Sequence, residues 1–154
     1  MLQRLQTVFL ALTIVLMAAG IFFPIWVYQG AAGEWYKLFP LQLSIAGEDG
    51  TEVIYYPYCI TAVLMVAAAT IAIMEIRRYD DRILQIKLGT LNTLILMCVM
   101  ICAVLFSNNL MTEHPGSSHA SGIYLNFAAV TCNWIALRLI RRDEKLVRDS
   151  DKLR

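Results

Sequence analysis

The chain has 154 residues, of which 58% are hydrophobic and 16% charged, with a formal net charge of +1. That is one domain's length, and too apolar for an ordinary soluble domain. Four cysteines with no CxxC among them, all inside apolar runs, exclude a disulfide framework.

The first apolar stretch runs from Leu5 to Val27 without a charge. It is long enough to cross a hydrocarbon core of roughly 30 Å as a helix, and too long for the apolar part of a signal peptide, so it reads as an uncleaved anchor. Pro24, Trp26 and Tyr28 mark its far end, where amphipathic rings favour a headgroup layer. Beyond Pro40, Leu41, Leu43 and Ile45 alternate with Gln42 and Ser44. Gly47-Glu48-Asp49-Gly50 then signals a turn, and the β-prone Thr51-Glu52-Val53-Ile54-Tyr55-Tyr56 follows. This pattern predicts a β-hairpin between the first two helices. A lone hairpin is marginal in water, so it must rest on the helices or on a partner.

Further helices are predicted over about 57–76, 83–106 and 122–140. Ala67-Ala68-Ala69 gives the second a small-residue waist suited to close backbone approach. The stretch from Ser107 to Ser121, with Pro115 and Gly116, reads as a loop. After Ile140 the fourth helix continues as a charged tail, 141–154. The expected fold is therefore an all-α membrane protein, a four-transmembrane-helix bundle with a small outward-facing β-hairpin. Of 13 Lys and Arg residues, only Lys37 lies in the two segments beside the hairpin and around Glu113. The positive-inside rule then places both termini and the Arg77-Arg78 connection in the cytoplasm.

Polar residues within apolar helices are the natural candidates for chemistry, because an unpartnered one is costly in lipid. Asn92 lies five residues past Lys87 and Asn133 five before Arg138, so the two share a depth and are suited to a hydrogen bond. Asn126 lies two turns from Asn133 on the same face, and with Thr93 and Thr131 the three asparagines would alternatively line a polar pathway. Glu75 is the one acid close to an apolar core. Pairing with Arg78, Arg4 or Arg138 accounts for it, and a carrier role is the alternative. Glu113, His114 and His119 match no zinc spacing, so no metal or other cofactor is expected. No nucleophile–base spacing and no glycine-rich phosphate loop is present, and an enzyme is not expected.

The tail from Arg138 to Arg154 carries seven basic and four acidic residues. Leu139, Leu146 and Leu153 recur every seventh position, with Val147 beside Leu146 and Arg141 and Arg142 flanking the stripe. The pattern suits either a solvated helix end against anionic headgroups or a docking helix for a partner. The interspersed acids exclude a nucleic-acid face.

The opening Met1-Leu2-Gln3-Arg4-Leu5-Gln6-Thr7-Val8-Phe9-Leu10, paired with the ending from Ile140 to Arg154, resembles the Bacteroidota inner-membrane family known as domain of unknown function 4293. The resemblance covers essentially the whole chain. It implies a bacterial inner membrane and four spans, and it supplies no activity. The reading of function is a non-enzymatic accessory or scaffold subunit of a larger inner-membrane complex, with the lipid bilayer and other membrane proteins or a second copy as partners. A small carrier or channel using Glu75, Asn92, Asn126 and Asn133 is the first alternative, and a membrane enzyme with an outward-facing site is the second.

Overall fold

Inward-facing positions recur at alternating spacings of three and four on all four helices of the computed structural model, which describes residues 2–30, 33–47, 50–79 and 81–151. On α1 (Leu2–Gly20) they are Gln6, Leu10, Thr13, Met17 and Gly20. On α2 (Cys59–Arg77) they are Thr61, Met65, Ala68, Ala72 and Glu75. On α3 (Arg82–Glu113) they are Gln85, Gly89, Asn92, Leu96, Val99 and Ala103, continuing to Ser107 and Leu110. On α4 (Ser121–Asp151) they are Gly122, Asn126, Ala129, Asn133, Ala136 and Ile140. Such a repeat keeps one narrow seam facing its neighbours, as in left-handed antiparallel bundles. Each helix packs against its two neighbours in the cyclic order α1-α2-α3-α4.

The seam mixes small and polar residues with a few larger apolar ones, whereas the outward faces are large and apolar. Leu12, Val15, Val63, Val66, Leu94, Ile101, Leu105, Phe127 and Trp134 are all exposed. An apolar surface of this extent needs apolar surroundings. α2, α3 and α4 are each long and apolar enough to cross a membrane; the apolar part of α1, Leu5–Gly20, is shorter.

The structure corrects the expected first helix. It stops at Gly20, where Phe22 and Phe23 turn back onto the carbonyls of Ala19 and Gly20. Pro24 cannot extend a helix, and the following Ile25-Trp26-Val27-Tyr28 suits a pleated strand. The hairpin is likewise only part of a five-stranded antiparallel sheet, ordered β4-β3-β2-β1-β5. Its strands are β1 (Trp26–Gln29), β2 (Trp35–Leu38), β3 (Leu43–Gly47), β4 (Gly50–Ile54) and β5 (Ser118–His119). The expected hairpin is β3 with β4, registered Leu43 to Ile54 and Gly47 to Gly50; Glu48 and Asp49 of its turn lie outside the described residues. Gly50 sits at φ +133°, a conformation that favours glycine.

α2 starts two residues later than expected, after Pro57, and α3 runs seven residues further. Residues 107–113, expected as loop, are helical because the sheet packs on them: Trp26, Leu38 and Leu43 bury themselves against Leu110, flanked by Phe106 and Met111. The joint with the bundle is tight at Gly122. A Cβ there would lie 2.6 Å from the Pro24 carbonyl oxygen and 2.7 Å from that of Phe23.

Candidate functional site

The polar seam divides into three levels. Near the end of the bundle away from the sheet, Asn92 Nδ2 donates to Asn133 Oδ1 at 2.9 Å. Asn133 Nδ2 donates to Thr93 Oγ1 at 2.9 Å and, more weakly, to the Gly89 carbonyl at 3.4 Å. The Thr93 hydroxyl gives its own hydrogen to the Gly89 carbonyl at 2.7 Å, so towards Asn133 it can only accept. That fixes both amide orientations, and the chain of donors runs Asn92, Asn133, Thr93, Gly89. Asn92 Oδ1 is left without a partner.

Glu75 faces the same level from α2. Its side chain is fully buried at 0% exposure, and neither carboxyl oxygen has a hydrogen-bond partner. The carboxyl rests on Gly89, where an added Cβ would meet Glu75 Oε1 at 2.6 Å and Leu137 Cδ1 at 3.0 Å. Gln85 donates to the main-chain oxygen of Glu75 at 3.0 Å, not to its carboxyl. The ion pairing expected from sequence is not formed with the described arginines. Arg138 lies 5.3 Å over the ring of Trp134, and Arg141 donates to Thr90. The side chain of Arg4 lies outside the described residues.

The middle level is closed. Met17, Met65, Ala68, Leu96, Val99 and Ala129 fill it, each at most 1% exposed. Above it Asn126 is buried with both amide ends unpartnered, beside Gly20. Asn126 therefore does not join the Asn92–Asn133 pair. Thr131 faces outward and bonds its own helix at Phe127.

At the sheet end the two histidines part company. His114 stacks on Tyr28 at 4.8 Å and tilts against Tyr36 at 4.9 Å. Tyr36 donates to Glu34 at 2.9 Å, and that carboxylate, with burial adding, holds the phenol above its ordinary range. His119 Nδ1 lies 3.0 Å from Ser107 Oγ. Twelve residues separate this pair, and only the unexpected β5 brings it together. Ser107 is fully buried, whereas His119 is exposed on β5, so only the imidazole side of the contact reaches the surface. Among the described residues no group of three His, Cys, Asp or Glu converges.

The tail begins with a fastened root. Gln6 donates to the Asp143 carboxylate, and Arg82 to the Asp143 carbonyl at 3.3 Å. Beyond it Leu146 is 56% exposed and Val147 is partly exposed. Arg141 and Arg142 are exposed and Leu139 half-buried; Leu153 lies outside the described residues. A cavity of about 520 Å³ opens between α1 and the α2–α3 connection, lined by Gln6, Leu10, Ile76, Tyr79 and Gln85 among others.

The family profile described as domain of unknown function (DUF4293) matches residues 2–153, and the chain belongs to that family. No curated protein matches it.

Proposed function

We propose that this DUF4293 member crosses the bacterial inner membrane four times, as an accessory subunit that docks other membrane proteins through the protruding end of α4. The apolar part of α1, Leu5–Gly20, reaches about 24 Å at 1.5 Å per residue, and the apolar Ile21, Phe22 and Phe23 that follow extend it towards the roughly 30 Å of a hydrocarbon core. The basic residues gather at the tail end, which the positive-inside rule assigns to the cytoplasm. Phe22, Tyr56 and Tyr124 are exposed at the sheet end, a belt suited to the outer headgroups.

One observation carries the docking reading. α4 is a single helix of 31 residues, and its last eleven, after the buried Ile140, reach about 16 Å further. Asp143 ties the root to α1 and α3, so the extension is a rigid lever carrying an exposed Leu146 among charges. The test is purification of the tagged protein from native membranes in mild detergent, beside a Leu146→Asp variant of unchanged thermal stability. A stoichiometric membrane partner, or a second copy, should accompany the wild type and be lost from the variant. An identical set of companions with both would end the reading.

A small carrier is the second reading, favoured by the unpartnered Glu75. The closed middle level requires such a carrier to open between Met17, Met65 and Leu96. Flux in proteoliposomes, abolished in Glu75→Gln, is its test.

A further inference from the structure

We propose that Glu75, cradled on Gly89 and facing the buried stripe that carries Asn92, is a proton-binding site inside the bundle. The inference concerns what Glu75 binds and rests on neither reading of the function above.

Three acceptors of the site have no donor. Glu75 Oε1 and Oε2 and Asn92 Oδ1 are all buried and unpartnered. No neighbouring amide donates to the carboxyl: Gln85 bonds the Glu75 main chain, Asn92 bonds Asn133, and Asn133 bonds Thr93 and Gly89. A bare carboxylate in such surroundings has neither counter-charge nor hydrogen bond, the costliest state for a buried ion. A bound cation cures both defects.

No charged group of the protein supplies it among the described side chains. From α1 the inward residues are Gln6, Leu10 and Thr13; from α3, Gln85, Gly89 and Asn92; from α4, Asn133, Leu137 and Ile140. None of these titrates. Lys87 is exposed, Arg138 lies over Trp134, Arg141 is on Thr90, and Asp143 is held by Gln6.

Size then selects the cation. A hard metal ion asks for about six oxygen ligands, and three unpartnered oxygens fall short. Glu75 Oε1 also lies so close over Gly89 that a single Cβ would not fit. A proton needs one oxygen and no room. It removes the unpaired charge outright. Gln85 lines the wall of the 520 Å³ cavity while bonded to the Glu75 main chain, which sets that cavity beside the backbone of this residue.

Infrared spectroscopy of the full-length protein in lipid nanodiscs tests the assignment. At neutral pH the wild type should show the carbonyl stretch of a protonated carboxylic acid, shifted in heavy water and missing from Glu75→Gln. Treatment with the apolar reagent dicyclohexylcarbodiimide should give an adduct on the peptide that holds Glu75. The carboxyl oxygen bonds to the reagent's central carbon, the acid proton moves to its nitrogen, and an acyl shift leaves a stable acylurea. Equal spectra for wild type and Glu75→Gln in the acid region would overturn the proposal. So would disappearance of the band on adding sodium at fixed pH, which would make the site a metal-cation site.

Discussion

Asn133→Ala should be among the most destabilising changes in the bundle despite removing only a small polar side chain. The substitution deletes two well-formed bonds of 2.9 Å, to Asn92 and Thr93, and a weak third to Gly89. Interhelical hydrogen bonds in membranes are worth roughly 0.6–2 kcal/mol each. Asn92 Nδ2 is then orphaned in a fully buried position, adding about 1–3 kcal/mol. Thr93 loses little, because its hydroxyl still donates to the Gly89 carbonyl. The expected total is about 3 kcal/mol. Asn92→Ala should cost less, about 1.5 kcal/mol, since it removes one bond, and the orphaning of Asn133 Oδ1 is partly offset by removal of an oxygen that had no partner. A double-mutant cycle read by equilibrium unfolding in mixed micelles should give a coupling of about 1 kcal/mol. A loss below about 0.5 kcal/mol for Asn133→Ala, or additivity within about 0.3 kcal/mol, would refute the reasoning.

Asn126 should respond in the opposite sense. Both ends of its amide are buried without partners, so Asn126→Leu should stabilise by about 1–2 kcal/mol in the same assay, and a loss would reveal a partner that the amide meets in the membrane. Gly89→Ala should destabilise by about 1–3 kcal/mol through the contact with Glu75, and most of that loss should vanish in a Glu75→Ala background, because the remaining neighbour, Leu137 Cδ1, can yield. Gly122→Ala should cost more, roughly 3 kcal/mol, because its Cβ would strike the main chain of Phe23 and Pro24, and near-ultraviolet dichroism should report a disturbed Trp26. For none of these does the outcome depend on which function is correct.

The helices were legible in sequence because length and apolarity suffice to recognise them, and the Asn92–Asn133 contact because counting inward from Lys87 and Arg138 sets their depth. The hairpin of β3 and β4 was legible from alternation and the turn at Gly47 to Gly50. β1 was not, since Ile25 to Val27 continues an apolar run and a buried strand looks like the last turn of a helix. Pro24 carried the missing signal. The seven extra residues of α3 were hidden for a different reason. Ser107, Asn108 and Asn109 are weak helix formers, held in the helix by a sheet that lies far away in sequence. The pairing of Ser107 with His119 depends on that sheet and on β5, so no spacing rule could have found it. The pairing of Glu75 with Arg78 or Arg138, expected from its place near the end of α2, is not formed. The helical phase, shared with Ala72 and Ala68, turns its carboxyl inward instead.

The three levels of the seam sort its polar groups by how completely the fold satisfies them. The Asn133 level is nearly closed upon itself, with each donor fixed by the next, and behaves as structural glue. Glu75 on one side of the packed Met17–Met65–Leu96 layer and Asn126 on the other have no such closure. In apolar surroundings an unsatisfied amide or carboxyl works against the fold, and packing alone would favour leucine at both positions. Glu75 also imposes a glycine on α3, a residue that weakens a helix by roughly 1 kcal/mol relative to alanine. Two separate concessions at one point, an unpartnered carboxyl and the glycine that admits it, are difficult to explain by stability. Both are accounted for by the proton-binding role proposed for Glu75, and neither bears on the docking proposed for the end of α4.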